Sequence, residues 1–294
     1  MALLRFAARV ARRLKRLLYH AVDAAFLPLD RSFVQRAGSV RLIPRGPNRF
    51  GGKYAYGDWA HTIGVFHALL FDLVKDRADP HLLDVGCGKG LVGLAAAPVL
   101  GSTGRYTGLD VVADNIAFCR RHFSDSRFDF IHVAQANAAY AAAQPDTLAP
   151  WPLADSQIDI VTALSVWTHL SERHALFYMR EVSRVLKPGG IALITVFLLD
   201  ETYRRRLAQG LPKISPTHPT DPADWVFDRP AYGSDHWFHT GWARVPEDAI
   251  GVCEAGLRKM LDAAGLTLAA HYPGLWKDRP GLYFQDAVLL HRPQ

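Results

Sequence analysis

The stretch "LLDVGCGKGLVGLAAAPVL", residues 82–100, decides the fold of this 294-residue chain. It opens with an apolar run that predicts a buried strand, turns through glycines at positions 86, 88 and 90, and continues as a helix-like segment. An acid, Asp84, comes just before the turn. Because glycines carry no side chain, their backbone amides can approach a ligand closely, so the turn predicts a bound polar molecule.

The spacing of the glycines separates this turn from two common nucleotide-binding loops. The dinucleotide fingerprint G-x-G-x-x-G needs its third glycine three residues after the second, whereas here it comes after two. Gly93 completes a longer G-x-G-x(4)-G pattern, so spacing alone does not exclude a nicotinamide cofactor. A P-loop is excluded because no Gly-Lys-Ser/Thr follows at the required distance.

From residue 82 onward the chain alternates between strand-like and helix-like segments, which is typical of a doubly wound parallel sheet. Two more strand-like runs close the chain, joined by a loop that suits antiparallel neighbours. The sequence therefore predicts an α/β, Rossmann-like sheet of seven strands with a C-terminal antiparallel hairpin. The predicted strands lie at 82–86, 105–111, 127–133, 158–164, 191–199, 266–272 and 281–292, and the helices at about 59–75, 90–99, 112–122, 171–186 and 247–264.

Two acids indicate which ligand the turn binds. Asp84 lies where dinucleotide sites keep an apolar residue, and a carboxylate there can accept hydrogen bonds from a cationic amine. Asp110 ends the second strand, where a carboxylate can bind both hydroxyls of a ribose. A ligand with an ammonium group and a ribose, and with no required pyrophosphate, is S-adenosylmethionine.

Residues 80–200 resemble the class I S-adenosylmethionine-dependent methyltransferases, in the group that methylates quinone rings and other small molecules. Four motifs in order carry the resemblance: "LLDVGCGKG", "YTGLDVVADNIAFCRRHF", "LADSQIDIVTALSVWTHL" and "FYMREVSRVLKPGGIALIT". The resemblance implies that Asp84 and the turn meet the methionine end of the cofactor, Asp110 the ribose and Val111 the adenine. An amide of Gln135 or Asn137 would replace the acid that usually bonds the adenine amino group. The implied cofactor-binding residues are Asp84, Gly86, Cys87, Gly88, Gly90, Asp110, Val111, Gln135, Asn137 and Ser165, the last near the sulfonium.

Methyl transfer to a hydroxyl needs a base, and histidines supply the candidates. His169 follows the fourth strand; its alternative role is to order the loop or cap the helix that starts near Ser171. His236 lies in the long segment 200–246, which we interpret as an inserted cap over the acceptor pocket, or as a loop with its own small core. The candidate substrate-binding residues are Trp167, Trp237 and His239. No metal site is expected, and Asp286 is interpreted as an edge charge that discourages sheet pairing.

The charge of the chain is concentrated in its first 49 residues. These hold eleven of the 34 basic residues and two of the 28 acidic ones, so the remaining 245 residues carry 23 basic and 26 acidic side chains. The arm 1–49 begins with an amphipathic helix, which predicts packing on the body or a second subunit, peripheral membrane contact, or an organellar transit peptide. Its apolar stripe holds Leu3, Phe6, Val10, Leu14, Leu17 and Ala21, and its basic face Arg5, Arg9, Arg12 and Arg16.

We therefore expect a basic arm (1–49) followed by a methyltransferase domain (50–294) that methylates a small-molecule acceptor, with a hydroxyl of a sugar, glycolipid or polyketide-like metabolite favoured. N- or C-methylation, or cofactor binding without catalysis, are the alternatives. The near-neutral body argues against a nucleic-acid substrate. Three scattered cysteines indicate a reducing compartment and hence a cytoplasmic protein. The oligomeric state has no signature in the sequence.

Overall fold

The computed structural model describes residues 2–49, 54–141 and 148–294, except for the side chains of residues 2–9 and 12. The chain divides into two compact units, Met1–Lys75 with Lys89–Gly101, and Asp76–Gly88 with Ser102–Gln294. Several predicted features lie outside the described residues: the side chains of Leu3, Arg5, Phe6, Arg9 and Arg12, and the domain boundary at residue 50.

In the described residues the first unit is helical, with helices α1 (Ala2–Phe33), α2 (Gly38–Arg41), α3 (Tyr56–Val74) and α4 (Leu91–Ala96). Helix α3 buries Trp59, Ile63, Phe66 and Leu70, which recur at steps of three and four and so share one face. The His67 Nδ1 atom of α3 lies 3.2 Å from the Ala95 carbonyl oxygen of α4, and this hydrogen bond joins the two helices. Among the described residues, no helix combines the length and the apolar character that a membrane span requires.

The second unit contains a ten-stranded sheet. Its strands are β1 (His81–Val85), β2 (Arg105–Asp110), β3 (Phe128–His132), β4 (Ile158–Ala163), β5 (Leu186–Leu199), β6 (Phe227–Pro230), β7 (Trp237–Thr240), β8 (Ile250–Cys253), β9 (Thr267–Tyr272) and β10 (Asp286–His291). Its helices are α5 (Ala113–His122), α6 (Glu172–Val185), α7 (Glu201–Ala208) and α8 (Glu254–Ala264).

The sheet is parallel through the order β3-β2-β1-β4-β5, and β10 inserts antiparallel between β5 and β9. This arrangement confirms the predicted Rossmann-like fold with its C-terminal antiparallel hairpin. The carboxyl ends of the parallel strands meet at one edge, and ligands of such sheets bind at that edge.

Three strands were not predicted. Strand β8 pairs parallel with the last three residues of β5, Phe197–Leu199, and β7 and β6 follow it as antiparallel neighbours. The prediction that a helix begins at about residue 247 was therefore wrong, because "IGVC" (250–253) extends the sheet and α8 begins only at Glu254. Segment 200–246 thus supplies sheet strands in addition to loops.

The core of this unit lies between the sheet and helices α6 and α8. Helix α6 begins at the N-cap Ser171, whose side chain accepts from the His174 amide, and buries Met179, Val182 and Val185. Because parallel strands are covered on both faces, β4 is buried along its whole length. The interpretation of Asp286 as an edge charge was wrong: β10 has neighbours on both sides, and Asp286 is fully buried.

Candidate cofactor and acceptor site

The glycine turn leaves the carboxyl end of β1 in a left-handed conformation. Gly86 and Gly88 have φ angles of 68° and 55°, which residues with a side chain rarely adopt. A Cβ atom on Gly86 would come within 2.5 Å of the Val166 side chain, whereas a Cβ on Gly88 would meet nothing within 4 Å. The turn is therefore close-packed on one side and open on the other, as a cradle for a ligand requires. Gly90, in the first unit, is the left-handed N-cap of α4.

Asp110 holds the turn in place from the end of β2. One carboxylate oxygen accepts from the Gly88 amide at 2.7 Å, and the other from the Val112 amide at 2.8 Å and the Asn115 side chain at 3.2 Å. Burial raises the pKa of Asp110, and these three donors oppose the rise by favouring the charged form. The oxygen that accepts from Gly88 alone keeps a further lone pair, so the carboxylate can accept from a ribose hydroxyl while it holds the turn.

Asp84 lies beneath the same turn and is 1% exposed. Its two oxygens accept from the Tyr106 hydroxyl at 2.5 Å and the Thr162 hydroxyl at 2.9 Å. Burial is the largest cause that raises its pKa, to about 7; the two hydroxyls lower it, and the negative charge of Asp110 raises it. The carboxyl group therefore changes charge near neutrality, where a nearby cationic amine favours its ionised form.

The loop after β3 carries the two candidate amides in different roles. Asn137 uses both ends of its side chain within the protein: its Nδ2 donates to the His169 carbonyl at 2.8 Å, and its Oδ1 accepts from the Ala139 and Tyr140 amides. Asn137 thus ties this loop to the segment after β4. Gln135 is 3% exposed and follows Val133, which continues the register of β3. Val111 is half-buried at the end of β2, where its carbonyl accepts from the His132 Nε2 at 3.2 Å.

Ser165 follows β4 with a φ angle of 59°, a strained conformation for a residue with a side chain. The Thr195 hydroxyl accepts from the Ser165 amide at 2.7 Å. Both hydroxyls donate to the Gln285 Oε1 atom, Ser165 at 2.9 Å and Thr195 at 2.6 Å. These hydrogen bonds hold Ser165 in its strained conformation at the carboxyl ends of β4 and β5. Backbone strain of this kind is commonly associated with function.

His169 lies in a short 3₁₀ turn, Trp167–His169, that follows β4. Its Nδ1 atom is 2.7 Å from the Glu247 carbonyl oxygen, and its Nε2 atom is 3.3 Å from the Tyr140 hydroxyl. A carbonyl only accepts, so the Nδ1 atom carries the hydrogen in the neutral ring and the Nε2 atom carries the lone pair. The Tyr140 hydroxyl then donates to Nε2. Tyr140 is 50% exposed, so this pair adjoins solvent.

The other candidate residues for catalysis and acceptor binding are buried or contact neighbouring protein groups. Trp167 and Trp237 are 3% and 1% exposed and belong to the main hydrophobic core, so their burial does not support the prediction that they stack on an acceptor. His236 contacts the Cys253 sulfur through Nδ1 at 3.6 Å, and His239 Nδ1 lies 3.1 Å from the Thr240 carbonyl. Their roles in catalysis and substrate binding stay predictions.

A buried ionic cluster lies at the carboxyl end of β5. Asp200, His271 and Asp286 are close enough together to suggest a metal site. The Lys277 ammonium, however, lies 2.7 Å from Asp200 and 2.9 Å from Asp286, so a cationic group already contacts both carboxylates. Asp286 also accepts from the Leu198 and Gly274 amides and the Trp276 indole. The cluster therefore anchors loop 273–285.

Sequence reasoning missed Tyr140, Glu247 and Gln285 in this region. Tyr140 and Gln285 lie in loops, and the Glu247 contribution comes from its backbone carbonyl, so periodicity gives no signal for any of them. The single signal available was the pair of adjacent polar residues Gln285 and Asp286 before an apolar strand.

Comparisons with known proteins relate the chain to methyltransferases. Residues 83–194 match the family described as "Methyltransferase domain". The fatty-acid O-methyltransferase of Mycolicibacterium smegmatis is 36% identical over 138 residues, which is 46% of this chain and 43% of that protein. The arsenite methyltransferase of Aquipseudomonas alcaligenes is 30% identical over 132 residues, 44% of this chain and 35% of that protein. Both matches thus span less than half of the relative.

A solved structure supports the fold alone. A putative S-adenosylmethionine-dependent methyltransferase from Listeria monocytogenes superposes with a TM-score of 0.52 at 12% identity, covering 79% of this chain and 99% of that one. The fold, the four sequence motifs and the family match define one class. Residues 83–194 form a class I S-adenosylmethionine-dependent methyltransferase domain, and S-adenosylmethionine is the cofactor of that domain.

Proposed function

We propose that the protein transfers the methyl group of S-adenosylmethionine to a hydroxyl oxygen of a small-molecule acceptor, with His169 as the general base. When bound, the cofactor supplies a methyl group already activated by its sulfonium, so the protein must align the acceptor, exclude water and remove one proton. Asp84 and the turn Gly86–Gly88 would hold the methionine end, and Asp110 the ribose.

The adenine would lie along Val111. Because the Asn137 amide oxygen already accepts from two backbone amides, Gln135 is the better candidate to bond the adenine amino group. Ser165 would lie near the sulfonium, at the carboxyl ends of the parallel strands.

The observation that carries the proposal is the fixed tautomer of His169. The Glu247 carbonyl holds the Nδ1 hydrogen, so the lone pair of Nε2 points to the Tyr140 hydroxyl. An acceptor hydroxyl in the place of the Tyr140 hydroxyl would give its proton to Nε2 as its oxygen attacks the methyl carbon. The imidazolium formed would keep its Nδ1 hydrogen bond.

The proposed acceptor class rests on exposed aromatic side chains in segment 200–246 and on one relative. Segment 200–246 exposes aromatic side chains, among them Trp242 at 45% and Tyr232 at 67%, which suit a sugar face or an apolar chain. The O-methyltransferase among the relatives acts on a fatty acid by its name, which favours oxygen as the accepting atom and an acceptor with an apolar part. A glycolipid or polyketide-like alcohol has both features.

The test is a steady-state assay of His169→Gln on a panel of hydroxylated acceptors, with His122→Gln as the matched control. We expect kcat to fall by roughly 10²–10⁴, as for loss of a general base, while the affinity for S-adenosylmethionine is unchanged. Tyr140→Phe should cost less, about tenfold.

A carboxylate acceptor is the second candidate, favoured by the fatty-acid O-methyltransferase similarity. A carboxylic acid is ionised at neutral pH and needs no base. The product would then be a methyl ester, and His169→Gln would leave kcat within a few-fold of the wild type. That result refutes the base assignment but keeps oxygen methylation. Cofactor binding with no transfer to any oxygen, nitrogen or carbon acceptor would refute both.

A further inference from the structure

Helix α1 turns one face toward the rest of its own unit. On that face Asp23 and Leu27 are 5% and 1% exposed, and Asp23 accepts a hydrogen bond from the buried Arg49. The Arg16 guanidinium lies 4.0 Å from the centre of the Tyr54 ring. The helix is thus anchored to Arg49 and Tyr54 through charged side chains.

The opposite face of α1 exposes apolar side chains to solvent. Leu14, Leu18, Val22, Phe26, Leu29 and Phe33 follow each other at steps of four or three, so they form one stripe along the helix. The exposed members described are Val10, Leu14, Leu17, Leu18, Val22, Phe26, Leu29 and Phe33, with exposed fractions from 42% to 77%. A continuous apolar stripe of this size on a surface indicates an interaction site.

Basic side chains border this stripe. Arg13 and Lys15 are exposed on the helix, and Arg36 and Arg41 are exposed just beyond it. Of the two acids in residues 1–49, Asp23 is paired with Arg49 and Asp30 is half-buried. The exposed charge around the stripe is therefore strongly positive. This combination complements a surface that is apolar inside and anionic outside, which is the chemistry of an anionic lipid bilayer.

We propose that α1 docks in the plane of an anionic membrane surface, with the apolar stripe at the acyl boundary and the basic side chains among the headgroups. Charged residues along the helix would be costly at the bilayer centre, which favours an in-plane orientation. A second copy of this chain is disfavoured as the occupant, because pairing two stripes would bring two basic arms together. The proposal goes beyond the proposed methyl transfer and does not depend on it.

Flotation of the full chain with vesicles tests the proposal, in phosphatidylcholine alone and mixed with phosphatidylglycerol. The wild type should float with the mixed vesicles and lose binding as salt is raised. Leu18→Ser with Phe26→Ser should bind at least tenfold more weakly. The matched control is Phe71→Ser on α3, since Phe71 and Phe26 are 56% and 59% exposed, and it should bind as the wild type does.

A charge variant, Arg13→Gln with Lys15→Gln, keeps the test valid if the apolar variant fails to fold. It should bind the mixed vesicles more than tenfold more weakly, because each basic residue near the surface contributes about fivefold. Calorimetric binding of S-adenosylhomocysteine checks that each variant is folded. The proposal is overturned if the wild type ignores anionic vesicles or if the control loses binding equally. It is also overturned if sedimentation shows a dimer that Phe26→Ser dissociates.

Discussion

Replacing Asp84 by Asn should change how the stability of the ligand-free protein depends on pH. In the unfolded chain the Asp84 pKa has its ordinary value of 3.8, whereas burial raises it to about 7 in the fold. Between these values the folded state binds a proton that the unfolded state has lost, so stability falls as pH rises. Each tenfold change in proton affinity is about 1.4 kcal/mol, so the wild type should lose about 4 kcal/mol from this group by pH 7.

The assay is urea unfolding of wild type and Asp84→Asn at intervals between pH 4 and pH 8. The free energy of unfolding of the wild type minus that of the variant should fall by about 4 kcal/mol across this range and then stay constant, because both states are ionised above pH 7. Asp235→Asn, at an exposed carboxylate, is the control, and its curve should run parallel to the wild type. Parallel curves for Asp84→Asn as well would refute the reasoning.

Two further substitutions test the packing around the site, each by urea unfolding. Gly86→Ala should cost at least about 1–2 kcal/mol for its left-handed φ angle, plus a clash with Val166 that the double variant with Val166→Ala should relieve. If the double variant gains nothing, the clash is not the cause. Lys277→Met should cost about 3–5 kcal/mol, because it removes the buried ammonium that Asp200 and Asp286 share; a neutral result would contradict that.

The architecture was predictable because its signals are local. Each parallel strand is an apolar run bounded by turn residues, and each intervening helix has a 3.6-residue period, so seven strands are identified within one to five residues of their ends. Strands β6, β7 and β8 gave no such signal, since each has only four residues, too few to show a clear apolar alternation, and only β8 pairs with β5.

The cofactor side of the site was more predictable than the acceptor side. Asp110 and the glycine turn belong to two of the sequence motifs, and the structure shows them joined by the hydrogen bond from the Gly88 amide to Asp110. Burial was harder to infer: Trp237 reads as an exposed aromatic in a loop-like segment, but β7 carries it into the core. Asp286 reads as an edge charge, because the sequence does not show its hydrogen-bonding partners, one of which, the Leu198 amide, lies 88 residues away.

The partners of His169 show the same limit. Its imidazole is oriented by the Glu247 carbonyl, 78 residues further along the chain, and by Tyr140, 29 residues before it. A sequence does not show which backbone carbonyl a histidine ring contacts, so the tautomer could not be predicted from it. Sequence alone therefore left open whether His169 acts as a base or orders its loop. In the structure its Nδ1 contact with Glu247 orders the loop, and its role as a base stays a prediction.

The most direct test of the central claim is calorimetric titration of S-adenosylmethionine and S-adenosylhomocysteine into the wild type and Asp110→Ala. A hydrogen bond from a ribose hydroxyl to a carboxylate is worth about 1.5–3 kcal/mol, so the variant should bind about 10- to 150-fold more weakly. Its thermal unfolding checks that the protein remains folded. Micromolar binding to the wild type that Asp110→Ala weakens by at least about tenfold is the predicted result. Equal binding to both proteins, or binding to neither, would contradict the assignment of this site.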